Sequence, residues 1–381
     1  MKILVVVPDL NLGGVTSSAI NFCKECSRRG NHVDILVMDG ANANINNVNQ
    51  VFLSGQSLFW NLNPKQISRF SGLYKLLLYA LGGIKKITNR LGLWFPIIFR
   101  GFNLNGDYDV AVAYRQCAPC YYFTLNCVSA KKKIGMIHGN LNFMGVTSSW
   151  DKYLPRFDKV ACVSKSISRD FINKFSSSKD SFITIYNMFD INDIIKKAKM
   201  QCVFRIDDQC VNIISVTRHE NNLKKTNRII EACAELKKRN VHKFHWYIVG
   251  DGIDYEINVN LAEKLKVKDL ITFCGPMENP YSLQAKCDFS VLTSATEAYS
   301  MSVIESLILK KPIVVMKYPG VEEAVSNGYN GIIAEQTMES LLNSLILLIN
   351  NKQERMSIAQ NLETEKHNNN VAYQQFLNAI N

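Results

Sequence analysis

The chain has 381 residues, 47% of them hydrophobic and 20% charged, a composition that excludes a disordered or fibrous polymer. Its length exceeds what one ordinary core serves, so two domains are expected. The formal net charge is +11, and it is concentrated: between Gly40 and Gly106 there is no Asp or Glu, while Lys65, Arg69, Lys75, Lys85, Lys86, Arg90 and Arg100 all fall there.

In chain order, Lys2 to Val7 is a continuous apolar run of the kind found in a parallel strand buried on both faces. Pro8, Asp9 and Asn11 interrupt it too early for a secretory h-region, so a cytoplasmic, reducing setting is expected, with the eleven cysteines mostly buried thiols. A loop ending in Gly13-Gly14 leads into a helical pattern with Ile20, Cys23 and Cys26 at helical spacing, closed by Gly30. His32 to Met38 reads as a second strand, giving the opening of a βαβ unit. After the basic segment come strands over Tyr108–Tyr114, Lys133–His138 and Lys159–Ser164, a helix over Lys165–Phe175 and a strand over Phe182–Tyr186. Asn187 to Asp190 has the look of a linker.

A second αβ series opens at Val211–Val216. It runs through a helix (Arg228–Arg239), a strand (His245–Val249), a helix (Asn258–Leu265), strands at Ile271–Phe273 and Phe289–Leu292, a helix (Ser302–Leu309) and a strand (Pro312–Met316). Two such blocks predict an α/β protein with two Rossmann-like, doubly wound domains facing across a cleft. Their boundaries are placed at residues 1–190 and 191–370, with a last helix at 371–381 packing back on the first domain.

Three features of the second block converge at strand ends. Glu297 and Glu305 are separated by seven residues, the first in a loop and the second on the helix that follows. Between them Tyr299, Ser300, Met301 and Ser302 open that helix, and a helix N-terminus seats phosphate. Carboxylates such as these accept pairs of sugar hydroxyls. Arg218, Lys224 and Lys225 follow the strand Val211–Val216, where cations can neutralise a diphosphate. Gly250-Asp251-Gly252 and Cys274-Gly275-Pro276-Met277 are further loops after strands, in which glycine permits close backbone approach. Each feature alone is commonplace; their fixed order at successive strand ends is not.

With these residues the chain resembles the retaining family 4 glycosyltransferases of GT-B fold, from Met1 to about Gly331. The two glutamates in E-x7-E spacing are the diagnostic pattern, and Lys310 to Val315 and Asn330-Gly331 also fit. The resemblance implies that Glu297 meets donor-sugar hydroxyls, Glu305 the ribose, Arg218 with Lys224 the diphosphate, and the loop through Met277 the base. It likewise implies donor contacts for Gly13 and Gly14, and puts His138, at a strand end before Gly139, beside the transferred sugar; Gly252 is a donor-contact candidate from its place in the loop after a strand. Thr217-Arg218 stands where the family has Gly-Arg, Ala298 replaces the glycine after the first glutamate, and the lysine lies one residue late. Lys224 keeps register with the helix that begins near Arg228 and is preferred to Lys225.

The implied activity is retaining transfer of a hexose-type sugar from a nucleotide sugar, a UDP-sugar, to a saccharide acceptor. The departing phosphate itself takes the acceptor proton, and no metal or other cofactor is required. Residues 58–102 interleave cations with Trp60, Tyr74, Trp94, Phe95 and aliphatics, without an apolar run of the ~20 residues that spans a bilayer. That mixture suits contact with an anionic membrane surface. A lipid-linked saccharide acceptor follows, as in assembly of a bacterial surface polysaccharide such as capsule, with the enzyme peripheral at the inner face of the cell membrane. Nucleic acid is not expected as a partner, since no nucleic-acid module accompanies the charge. A C-x-x-C spacing occurs at Cys23/Cys26 and at Cys117/Cys120, and a D-x-D at Asp107/Asp109; neither is expected to bind metal. Two other readings remain open: a catalytically silent nucleotide-sugar-binding subunit, and a nucleotide-sugar epimerase of the same fold.

Overall fold

The structure is a computed structural model that describes residues 1–11, 13–38, 48–52, 99–140, 151–175, 180–362 and 368–381. The basic segment at 58–102 therefore lies outside the described residues apart from 99–102. Among the described residues the chain divides into two compact units. Unit 1 comprises Met1–Val163, Ile167–Phe189 and Asn370–Asn381, and unit 2 comprises Ser164–Ser166 with Asp190–Asn369.

In unit 1, strands β1 (Lys2–Val7), β2 (His32–Val37), β3 (Asn49–Phe52), β4 (Leu104–Ala113), β5 (Val128–Ile137), β6 (Lys159–Cys162) and β7 (Phe182–Thr184) form one sheet in the order β3-β2-β1-β4-β5-β6-β7. Every neighbouring pair is parallel. Ile3 to Val7 are buried along their whole length, which is why they read as an unbroken apolar run rather than an alternating one. Helix α1 (Gly14–Arg28) returns the chain from β1 to β2, and α2 (Ala118–Asn126) returns it from β4 to β5. The next helix, α3, spans Lys165–Lys174.

Strand β4 starts at Leu104, earlier than the apolar pattern indicates, because its first residues alternate in exposure at the sheet's end. Asp109 is spent inside that sheet. Its Oδ2 accepts the Lys2 backbone N–H at 2.8 Å, and its Oδ1 accepts from Lys131 Nζ at 2.8 Å.

Unit 2 repeats the design. After α4 (Ile191–Ala198), strands β8 (Val211–Val216), β9 (Phe244–Val249), β10 (Ile271–Gly275), β11 (Phe289–Leu292), β12 (Ile313–Met316) and β13 (Gly331–Ala334) form a parallel sheet in the order β10-β9-β8-β11-β12-β13. Helices α5 (Asn227–Lys238), α6 (Tyr255–Lys264), α7 (Tyr281–Gln284) and α8 (Met301–Ile308) are the crossovers. Trp246, fully buried, shares with Ile213, Ile248, Phe289 and Leu345 a core built by the sheet, α5 and α9 (Met338–Asn350). Helix α10 (Lys352–Asn361) follows α9, with Asn351 capping its first turn through Glu354 N–H.

The final helix, α11 (Asn370–Ile380), belongs to unit 1. Phe376 meets Phe22 of α1 edge-on at 5.0 Å, and the Arg29 guanidinium sits 4.4 Å over the Tyr373 ring. Gln375 Oε1 accepts the Tyr186 backbone N–H at 3.1 Å. Both sheets thus reverse strand order between two central strands, β1/β4 and β8/β11. Ligands of open α/β sheets bind beyond the carboxyl ends of the strands at such a reversal.

Candidate functional site

In unit 2 the loop leaving β8 carries Arg218 and Lys224 and the loop leaving β11 carries Glu297, and hydrogen bonds sew the two loops together. Thr293 Oγ1 donates to the backbone oxygens of Lys224 and Lys225 at 3.0 and 3.1 Å, and Ala295 N–H donates to Leu223 O at 2.8 Å. Lys225 adopts the left-handed conformation, with φ 50°, which turns the β8 loop back toward β11. From this frame Lys224 Nζ reaches Glu297 Oε1 at 2.7 Å, and Ser294 Oγ donates to the same oxygen at 2.7 Å. The side chains of Lys224 and Glu297 are 21% and 11% exposed, so the pair is sheltered but not sealed. Neither bond uses Glu297 Oε2. Thr296 Oγ1, one residue earlier, is buried with no partner among the described residues.

Beyond Glu297 the chain enters α8 with Ser300 as its N-cap. The Ser300 side chain makes no capping bond to the helix backbone, and no acidic residue lies in the first turn. Helices α9 and α10, by contrast, are capped by Thr337 and Asn351. The first amides of α8, around Met301 and Ser302, are therefore left for a ligand, and a helix N-terminus favours an anionic one. Glu305 lies one turn inside α8, where Tyr281 OH donates to its Oε1 at 2.9 Å. Burial raises the Glu305 carboxyl above the usual carboxylate range, and the Tyr281 bond opposes that rise. Tyr281 and Ser294 were not among the expected site residues; a lone tyrosine or serine in an otherwise ordinary loop carries no sequence signal.

Arg218 stands apart from this pair. Its guanidinium is 67% exposed and meets Glu220 at 3.1 Å, so unit 2 by itself does not bring it to Glu297. Gly250 and Gly252 are required by the packing of the loops themselves. A Cβ on Gly250, where φ is +140°, would lie 1.9 Å from Thr217 O, and one on Gly252 would lie 2.3 Å from His219 O. These glycines let the β9 loop press against the backbone of the β8 loop, where His219 N–H donates to Asp251 O at 3.0 Å. Met277 packs at the edge of a cluster containing Ile214, Tyr247, Val249 and Leu283.

Unit 1 presents a second group at its own strand reversal. Gly13 is the N-cap of α1, which again has no capping side chain and no acid in its first turn; space for a Cβ on Gly13 is open. Ser18 fixes the helix from within, through Tyr114 OH at 2.8 Å and Asn187 Oδ1 at 2.7 Å. His138 follows β5, its ring 5.0 Å from that of Tyr114 and its backbone N–H donating to Gln116 Oε1. Burial pushes its imidazole down to about 4, and the Arg115 cation adds to this against a bond with the Tyr114 backbone. A neutral ring with Nε2 unpartnered among the described residues can accept or donate one hydrogen bond to a polar ligand. No cluster of three metal-ligating side chains occurs among the described residues.

Comparison with known proteins gives this geometry a class. Residues 197–365, within unit 2, match the family model described as Glycosyl transferases group 1. An uncharacterized glycosyltransferase of Methanocaldococcus jannaschii is 25% identical over 256 residues, 63% of this chain and 67% of that protein. The N-acetylgalactosamine-N,N'-diacetylbacillosaminyl-diphospho-undecaprenol 4-alpha-N-acetylgalactosaminyltransferase of Campylobacter jejuni is 27% identical over 187 residues, 49% of each chain. The matched stretches thus span from about half to two thirds of these relatives' own length. Among solved structures, a mutant TarM of S. aureus, in complex with fondaparinux, alpha-GlcNAc-glycerol and UDP, superposes with a TM-score of 0.73 at 17% identity, covering 100% of this chain and 99% of that one. Unit 2 thus matches a glycosyltransferase group 1 domain, and the chain has the GT-B fold of the structures it resembles.

Proposed function

We propose that the protein transfers a hexose-type sugar, with retention of configuration, from a UDP-sugar to a saccharide acceptor carried on a lipid, in assembly of a bacterial surface polysaccharide. The observation that carries this reading is the sheltered Lys224–Glu297 pair beside the open N-terminus of α8, at the strand reversal of unit 2. One N–H of the Lys224 ammonium goes to Glu297, which leaves two for phosphate oxygens. The α8 amides and Arg218 supply the remaining positive field for a diphosphate. Glu297 Oε2 accepts a sugar hydroxyl, and Glu305, oriented by Tyr281, accepts from the ribose.

In this reading the bond from the anomeric carbon to the donor phosphate breaks as the acceptor oxygen bonds on the same face. The departing phosphate oxygen takes the acceptor's proton. The cationic groups stabilise the developing charge, so no metal ion is assigned a role. His138, neutral at working pH, orients the transferred sugar by a hydrogen bond and forms no covalent bond to it.

UDP appears with the structural neighbour, and a diphospho-undecaprenol acceptor appears in the name of the Campylobacter relative. Both support the choice of donor and acceptor class. The acid-free stretch at 58–102 supports docking on an anionic membrane at its inner face. Among the described residues no helix is long and apolar enough to cross a membrane.

Saturation-transfer NMR with UDP-, GDP- and ADP-sugars, followed by nucleotide release in the presence of lipid extract and chelator, tests the reading. The expected result is selective binding of one UDP-sugar, with chelator-resistant release abolished in Glu297→Ala. Absence of binding to every nucleotide sugar would refute it. Binding without release in the wild type would mark a silent binding subunit.

A further inference from the structure

Two cysteine pairs share the C-x-x-C spacing, and the fold treats them oppositely. Cys23 and Cys26 lie in the C-terminal half of α1, both fully buried, and burial drives both thiols well above their ordinary range. A pair so placed is packing. Cys117 and Cys120 instead stand at the start of the nine-residue α2. Cys117 is the N-cap, in extended backbone at φ −151° and ψ 149°, and Cys120 is the third residue of the helix. Side chains at the N-cap and third helical positions meet over the first turn, the geometry of a capping box. Pro119, between them, sits where a helix needs no N–H and fixes the turn in helical conformation.

The two thiols differ in access. Cys117 is partly exposed, whereas Cys120 is fully buried with its Sγ 3.8 Å from Met38 Sδ. The neighbouring Cys120 thiol, with the Arg115 guanidinium nearby, holds Cys117 below the ordinary thiol range, while burial lifts Cys120 above it. A partly exposed thiol held below its ordinary range at a helix N-terminus, with a buried thiol behind it, is the arrangement of attacking and resolving cysteines. No step of the proposed sugar transfer uses either one.

We propose that Cys117 and Cys120 are a redox-active dithiol that exchanges with small-molecule disulfides of the glutathione class. Cys117 thiolate attacks one sulfur of the oxidant, forming a mixed disulfide and expelling one thiolate. Cys120 then loses its proton to water and attacks the Cys117 sulfur, which expels the second thiolate. Two protein thiols are oxidised to one disulfide while one small disulfide is reduced to two thiols. The closed ring spans Cys117 to Cys120 and tightens the turn whose Gln116 side chain holds the His138 backbone, so the oxidation state reaches the unit 1 site directly.

The full-length protein is equilibrated with oxidised and reduced glutathione, quenched in acid, alkylated and mapped by peptide mass spectrometry. The expected product is a Cys117–Cys120 disulfide that reduced glutathione reverses. In Cys120→Ser the reaction stops at glutathione bound to Cys117, and in Cys117→Ser no adduct forms at Cys120. On the unmodified wild type, brief iodoacetamide labelling at neutral pH is expected to reach Cys117 at least ~3-fold faster than Cys210, which is also partly exposed. Labelling of Cys117 no faster than Cys210 overturns the proposal, as does glutathione spread evenly over Cys202, Cys210 and Cys274.

Discussion

Replacing Lys224 by Met removes the cation that neutralises Glu297 while keeping the length and apolar stem of the side chain. The cost follows from burial. Solvent-exposed ion pairs contribute roughly 0.2–1 kcal/mol, whereas removing one partner of a fully buried pair costs about 3–5 kcal/mol. At 21% and 11% side-chain exposure the Lys224–Glu297 pair falls between, and we expect a loss of about 2 kcal/mol of stability. Glu297→Gln should cost less, because the amide oxygen still accepts from Ser294 Oγ. The double variant is the decisive member: with the carboxylate gone, loss of the ammonium strands no charge, so a coupling of about 1–2 kcal/mol is expected. Urea unfolding read by 19F NMR of fluorotryptophan-labelled protein reports this, since Trp246 is the single tryptophan between residues 190 and 369 and lies in the core of unit 2. Additivity within about 0.3–0.5 kcal/mol would show that the two groups do not interact in solution and would refute the reasoning. In the transfer assay the Lys224→Met variant should lose ~10²–10³ in turnover, the usual cost of one donor to a departing anion.

Four further outcomes are expected. His138 is buried neutral with its folded value near 4, below the ~6.5 of an unfolded chain, so its contribution to stability is complete above pH 6.5 and is lost as pH falls from there toward 4. The acid limb of unit 1 stability should therefore flatten in His138→Gln over that window; an unchanged slope would place the proton elsewhere. Gly250→Ala puts a Cβ 1.9 Å from Thr217 O and should abolish folding of unit 2, as read by circular dichroism and solubility. Gly13→Ala meets open space and should keep wild-type stability while raising the donor KM. Tyr281→Phe removes one hydrogen bond to Glu305, and donor KM should rise ~5-fold with kcat unchanged, in line with about 1 kcal/mol for such a bond.

The sequence by itself determined the fold class and the residue types of the unit 2 site. Strands buried on both faces, such as Ile3–Val7 and Ile313–Met316, must be continuous apolar runs, and such runs alternating with helical patterns admit little besides a doubly wound sheet. The seven-residue gap between Glu297 and Glu305 likewise put one carboxylate before a helix and the other inside it, as the structure has them. Less was legible where pattern is weak. Strands β3 and β13 are four residues long, and β13 is recognisable chiefly from its pairing with β12. Helix α9 went unpredicted although its N-cap Thr337 and its Leu341, Leu342, Leu345 and Leu348 follow helical spacing.

Only the tertiary structure decided what each side chain touches. It joined Lys224 to Glu297 across seventy-odd residues by setting β8 beside β11, and it gave Arg218 to Glu220 instead. It set Gly250 and Gly252 against the backbone of the β8 loop and supplied Tyr281 to Glu305. It also separated two cysteine pairs of identical spacing into one wholly buried and one with a single partly exposed member, Cys117. The physical reason is common to all: periodicity encodes which face of an element is apolar, whereas strand order and loop closure fix which distant loops meet, and a hydrogen bond exists only at the distance that meeting sets.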